Sequence, residues 1–194
     1  MRPLPVYTTP FLNCAQIKSL AATYMDKESE FDRIAMNAGK RILEGDLSED
    51  NIREIYVWKL QSFYKRFQWV RDFPAPNTLE EVRYALEGAL TANGEKGPKA
   101  AVNRLIALKF VGIPVASAIL TAIYPKSFTI IDRQAYKTLK QKTFPSMTID
   151  EYLHYLNYCR NEAVRWEVSL RDFDRALWQA GSDSGKKPKS SYCV

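Results

Sequence analysis

The sequence predicts an all-α protein. Apolar residues recur at three- and four-residue intervals along nearly the whole chain, the spacing that places them on one face of a helix. Helix-start signals alternate with glycine and proline stops. The 194 residues are 46% apolar and 26% charged, enough to bury a sizeable core in one domain or two small lobes.

The elements follow in order. A helix is expected from about Lys27 to Leu43, stopped at Gly45. The next starts with Ser48 as N-cap and acidic residues in its first turn, and carries Ile52, Ile55, Tyr56, Leu60 and Phe63 on one face. Thr78-Leu-Glu-Glu81 reads as a capping box that opens a helix to about Thr91. Asn93-Gly94 and Gly97-Pro98 punctuate the loop that follows. A helix from about Lys99 to Leu108 and a second, with Pro114 in its first turn, to about Ile123 form a helical hairpin over residues 99–123. Tyr124-Pro125 ends it. Ser127 to Ile131 reads as extended, and a helix resumes from Asp132 to about Lys140. Thr148-Ile-Asp-Glu151 is a second capping box, opening a helix to about Tyr158. Ser169 starts the last helix, which is expected to end at Gly181. Residues 182–194 form a polar, basic tail with the composition of a disordered segment. The domain is therefore expected over residues 1–181, with two lobes and a cleft between them.

Composition excludes several classes of function. Cys14, Cys159 and Cys193 are odd in number and far apart, which argues against a disulfide framework and against a zinc site. His154 is the only histidine, so a histidine-rich metal site and Ser-His-Asp catalysis are not expected. No metal or other cofactor is expected. No apolar run approaches a membrane span, and the first residues lack the apolar core of a signal peptide, so the expectation is a cytoplasmic protein. Net charge is +6. The segment from Glu95 to Lys142 alone carries +7, from Lys96, Lys99, Arg104, Lys109, Lys126, Arg133, Lys137, Lys140 and Lys142 against Glu95 and Asp132. The remainder of the chain is close to neutral. Positive charge gathered on one segment is the electrostatic footprint of a phosphate-binding surface. The plainer alternative is a solvated basic face.

That segment also holds the most informative motif. Leu108-Lys-Phe-Val-Gly112-Ile-Pro-Val-Ala116 is a short Val-Gly turn opening an apolar helix, and Phe128-Thr-Ile-Ile-Asp132 brings a lone carboxylate 20 positions after Gly112. In order and spacing this resembles the helix-hairpin-helix DNA glycosylase superfamily, whose adenine glycosylase branch shares the interval and a similar Phe-x-Ile-x-Asp ending. The resemblance covers roughly residues 100–139. It implies a two-lobed all-α fold, a hairpin that grips a DNA phosphate, and an aspartate, here Asp132, that drives cleavage of a base from its sugar. It implies double-stranded DNA as partner and a monomer. Members with an iron–sulfur cluster carry four cysteines that this chain lacks, so no cluster is expected. The family turn usually reads Leu-Pro-Gly-Val-Gly. Here Lys109 replaces the proline and Phe110 the first glycine, which is costly if that position requires positive φ.

A carboxylate suits this chemistry because glycosidic cleavage passes through a cation-like sugar that a negative charge stabilises. An aspartate opening a helix is also a good N-cap, and the two roles are compatible. Bifunctional relatives place a Schiff-base lysine two residues after the second hairpin glycine. Pro114 stands there, which implies a monofunctional enzyme without lyase activity. Lys109, Val111, Gly112, Arg133 and Lys137 are the candidate DNA contacts. Trp58, Phe63, Tyr64, Phe67 and Trp69 interleave with Lys59, Lys65, Arg66 and Arg71; most of these rings are expected to be packing. Trp58, Lys59 and Tyr64 are the candidates to line a base pocket. Lys59 falls on an apolar stripe. It could pair with a carboxylate, contact DNA or be activated by burial; the plainer expectation lays its stem along apolar surface with the ammonium in water. Trp166 and Trp178 are expected in the core. The resemblance thus implies a role in repair, or in defence against phage DNA carrying modified bases. The alternative is a noncatalytic DNA-binding hairpin module in which Asp132 only caps its helix; a helical interaction protein without a nucleic-acid role is a third.

Overall fold

The computed structural model describes residues 4–9, 11, 13–94, 97–140 and 146–183. The described residues are all-α, as the periodicity predicts. The helices are α1 (Cys14–Leu43), α2 (Glu49–Lys59), α3 (Gln61–Tyr64), α4 (Gln68–Asp72), α5 (Leu79–Leu90), α6 (Gly97–Ile106), α7 (Ile113–Ile123), α8 (Arg133–Lys140), α9 (Ile149–Arg165) and α10 (Leu170–Asp183). Among the described residues no helix is long and apolar enough to cross a membrane.

The packing has one inner helix. Every residue of α7 from Ile113 to Ile123 is buried except Pro114. A helix apolar on all sides must be covered on all sides, and α1, α2, α5 and α6 supply the cover. α1, with 30 residues, spans about 45 Å at 1.5 Å per residue. It packs on α2, α7 and α10, presenting Ile17, Ala21, Tyr24, Ala35, Ala38 and Ile42 to the interior. α10 in turn packs on α8 and α9.

Two glycines set the closest approaches. At Gly39 a methyl group would sit 2.1 Å from the carbonyl carbon and oxygen of Ala122, so α1 and α7 touch backbone to backbone. At Gly181 it would sit 2.2 Å from the Gln134 carbonyl oxygen, so α10 meets α8 in the same way. Thr138 of α8 secures that contact by donating to the Leu177 carbonyl at 2.8 Å.

Several boundaries agree with the sequence. Both capping boxes are complete: Thr78 and Glu81 exchange backbone and side-chain bonds, as do Thr148 and Glu151. Gly45 follows α1 at φ +99°, the left-handed conformation that ends a helix. Others differ. α1 begins at Cys14 rather than Lys27, with Asn13 accepting from the Gln16 N–H at 2.9 Å. Ser48 holds the N-cap position, but its side chain accepts from Asn51 instead of capping the helix. α2 breaks at Leu60, so Phe63 leaves the predicted face and stands 41% exposed. Gly97-Pro98 forms the first turn of α6 rather than the loop before it. α9 continues to Arg165. Gly181 lies inside α10, not at its end; its small size serves the contact with α8. The tail from residue 184 onward, Lys142 and Cys193 lie outside the described residues; Cys14 and Cys159 are free thiols.

Gly39→Ala is expected to lower stability by about 1–3 kcal/mol, the usual cost of forcing a methyl group into a filled interior. Urea unfolding monitored by circular dichroism measures it; an unchanged midpoint would show that the α1–α7 contact can open without cost.

Candidate functional site

The site is built on a stretch of chain that is not helical. After α7, the Ser127 and Phe128 N–H groups turn back onto the Tyr124 carbonyl at 2.9 and 3.0 Å, and the backbone then runs extended to Asp132. Phe128 to Ile131 are all buried, so their peptide groups need partners that no helix or sheet provides. Side chains supply them. Tyr152 donates to the Thr129 carbonyl and Tyr155 to the Ile130 carbonyl, each at 3.1 Å. Arg160 donates Nε to the Ser127 carbonyl at 2.8 Å. Asp174 accepts from the Ile130 N–H at 3.2 Å and from the Thr129 hydroxyl at 3.0 Å. Ser117 accepts from the Ile131 N–H at 3.1 Å. Burial pushes the Tyr152 and Tyr155 hydroxyls above their ordinary range, which keeps both as neutral donors.

Asp132 ends this stretch and uses its two oxygens differently. Oδ1 accepts from the Ala135 N–H at 2.9 Å, capping α8. Oδ2 accepts from Lys59 Nζ at 3.1 Å. The pair is mostly shielded, with the Lys59 side chain 11% and the Asp132 side chain 20% exposed. Lys59 therefore does not extend its ammonium into water along an apolar surface, as its position on the stripe suggests. It spans from α2 to the start of α8.

The pair lines a cavity of about 160 Å³, far more than one ordered water needs. Trp58, Tyr24 and Trp178 contribute its aromatic surfaces, and Gln61, Ser62, Arg171 and Asp174 also line it. Tyr24 and Trp178 meet edge to face at 5.3 Å. Beneath them lies a buried charge network. Arg171 forms short ion pairs with both Asp32 and Asp174, and Arg175 donates to the other oxygen of Asp32 at 2.8 Å. Burial opposes the charge on Arg171, but Asp174 and Asp32 outweigh it and hold the guanidinium firmly protonated. Burial also pushes the Asp174 carboxyl upward, with Arg171 pulling against it. The guanidinium lies 5.6 Å from the Trp58 ring and 5.9 Å from the Tyr24 ring. Its Nε is buried with no hydrogen-bond partner among the described residues.

The hairpin turn meets α2 one turn before Lys59, at Tyr56. Asn77 brackets Lys109, accepting its N–H at 2.7 Å and donating to its carbonyl at 3.4 Å. Phe110 has φ +66°, so the turn does require the conformation that glycine adopts most easily. Tyr56, stacked on Phe73 at 3.7 Å, donates to the Phe110 carbonyl at 3.2 Å. Burial pushes the Tyr56 hydroxyl up to about 12. Gly112 caps α7 at φ −95°, which any residue adopts, and a methyl group there would meet only the Pro114 ring at 3.7 Å. The fold itself leaves room for a side chain at Gly112. The N–H groups of Gly112 and Ile113 have no hydrogen-bond partner among the described residues.

The structure thus brings together Asp132, Lys59 and Trp58 of the predicted site residues, and sets Gly112 and Lys109 on an exposed turn. Tyr64 does not join them; it is 36% exposed and off the cavity, because the break at Leu60 turns it outward. Val111 is buried and its N–H is used by the Leu108 carbonyl at 3.1 Å, so it offers no free donor. Arg133 is exposed and Lys137 half-buried on α8. Trp178 is a cavity residue rather than a core one, while Trp166 is partly buried against the core and donates to Glu162 at 3.0 Å. Tyr24, Arg171 and Asp174 had no part in the predicted site. The signal for the last two was available: opposite charges three residues apart, Arg171 and Asp174, among the apolar positions Leu170, Phe173 and Leu177. No protein-family model, curated protein or solved structure matches the chain.

Two substitutions separate the roles of these charges. Asp174→Ala is expected to cost about 3–5 kcal/mol, because it takes one of two carboxylates from a buried guanidinium and leaves the Thr129 hydroxyl and the Ile130 N–H without their acceptor. Lys59→Gln is expected to cost only about 1 kcal/mol or less, because Asp132 keeps its helix bond and reaches water. Chemical denaturation of both variants tests this; a Lys59→Gln loss as large as that of Asp174→Ala would make Lys59 a structural residue.

Proposed function

We propose that this chain is a monofunctional DNA glycosylase of the helix-hairpin-helix type. The observation that carries the reading is the place of Asp132: a shielded carboxylate, paired with Lys59, on the wall of an aromatic cavity. The hairpin adds support. Its turn has the positive φ that the family's glycine would supply, and two N–H groups at the start of α7 are unspent.

In this mechanism the Gly112 and Ile113 N–H groups hold a phosphate oxygen, aided by the positive end of the α7 dipole. The missing side chain at Gly112 lets the backbone approach. Lys109 and Arg133 add charge along the strand. A base rotated out of the stack enters the cavity beside Trp58, Tyr24 and Trp178, whose faces replace its lost neighbours. As the bond from sugar to base lengthens, positive charge grows on the sugar. Asp132 opposes it and orients the water that completes the hydrolysis. Lys59 fixes Oδ2 so that the carboxylate is already aimed. Base and abasic site are the products, and Pro114 at the position of the bifunctional lysine fits the absence of a lyase step. A role in repair, or in defence against phage DNA with modified bases, follows from this activity. The cap that Asp132 makes to Ala135 favours a second reading, a noncatalytic DNA-binding module.

Mass spectrometry of free bases released from a panel of genomic DNAs, heavily modified phage DNA included, decides between them. Wild type is expected to release a base, and Asp132→Asn to release it roughly 10²–10³-fold more slowly with DNA affinity kept. Salt-sensitive binding without release from any DNA would overturn the enzyme and leave the binding module.

A further inference from the structure

Phe110 is the wrong residue for its backbone. Its φ of +66° is left-handed, where a side chain crowds the following carbonyl and glycine does not. The ring gains little from the interior in return, since the residue is 52% exposed. What it does touch is Trp69 of α4, stacked at 5.6 Å with the planes 27° apart. Trp69 meets Phe67 at 5.8 Å, and Phe67 meets Phe63 at 5.8 Å. Four rings thus run in a row from the hairpin turn to α3, Phe110 and Phe63 exposed at its ends and Trp69 and Phe67 partly buried against the core between them. The first two residues of α3, Gln61 and Ser62, line the Asp132 cavity. The row runs from the hairpin to the short helix that supplies two of the cavity's lining residues.

Its borders are basic. Lys65, Arg66 and Lys109 are exposed, and the Arg66 guanidinium lies 5.3 Å over the Phe67 ring. None of the three forms an ion pair among the described residues. A protein partner covering the rings would strip water from these cations without neutralising them, unless it were strongly acidic. A second copy of this chain would bring the same charges against themselves. Flat rings edged by unpaired cations suit one chemistry best: bases stacking on the rings, with the phosphates that join them on the cations.

We propose that the row Phe63, Phe67, Trp69 and Phe110 is a stacking platform for unstacked bases of a DNA strand, with Phe110 as its outermost ring. The chain then engages locally opened DNA, holding the strand beside the base that enters the cavity. A side chain strained at an exposed turn is explained by a task outside the fold. The inference rests on the glycosylase reading only for its partner, DNA.

Phe110→Gly gives a test in which stability and function move in opposite directions. Glycine relieves the strained φ, so the melting temperature is expected to hold or rise. Binding to a single-stranded oligodeoxynucleotide containing 2-aminopurine is expected to weaken about five- to a hundredfold, with loss of the stacking quench of its fluorescence. Phe110→Leu, strained but without a ring, is expected to lose binding in the same way. Folded Phe110→Gly that binds and quenches like wild type would overturn the platform, even if base release is intact. Weakened binding by Phe110→Gly with no base release by wild type would leave the platform standing and remove the enzyme. A matching oligoribonucleotide bound more tightly, with the same dependence on Phe110, would overturn DNA as the occupant.

Discussion

Five residues without a helix of their own, Ser127 to Ile131, the last four of them buried, set the terms for the surrounding structure. Buried peptide groups left unpaired cost as much as lost hydrogen bonds. Here the partners come from three helices: Ser117 on α7, Tyr152, Tyr155 and Arg160 on α9, and Asp174 on α10. Each partner creates a further demand. Asp174 is charged and buried, so it needs Arg171; Arg171 is charged and buried, so it needs Asp32 of α1 as well. The network that underlies the cavity is thus the far end of the network that holds the backbone leading to Asp132. Removing one member leaves the others uncompensated, which is why the cost of a change here exceeds that of any single bond.

α2 provides the second constraint. Tyr56 and Lys59 stand three residues apart, on one face of the helix. One holds the Phe110 carbonyl in the hairpin turn, the other holds the Asp132 carboxylate. A single turn of helix therefore ties the hairpin turn to the carboxylate.

Much of the fold was legible because it depends on local rules. The two capping boxes, the break at Tyr124-Pro125 and the predominantly apolar run of α7 each act within a few residues, and each appears where the sequence places it. What escaped depends on residues distant in the chain. Gly181 looks like a stop, yet its role is set by Gln134, which approaches from another helix. Lys59 sits on an apolar stripe, and only the fold shows that Asp132 waits opposite it. Trp178 has the pattern of a core residue, but it lines a cavity together with Tyr24, far away in α1. Phe110 is the instructive intermediate case. The sequence raised the question of positive φ, the structure answered it, and the answer turned a mismatch in a motif into a feature with its own use.

The contact between Gly181 and Gln134 has a mechanical consequence. α8 has eight residues, about 12 Å of rod, and Asp132 is fixed at its leading end. The contact that seats the rod is made by main-chain atoms, reinforced by Thr138 on the Leu177 carbonyl. Side chains can rotate to absorb a disturbance; main chain seated on main chain cannot. The aim of the carboxylate is accordingly set only two residues from Asp132, where Gln134 meets Gly181, and any shim inserted at Gly181 bears directly on the end of the rod that carries it.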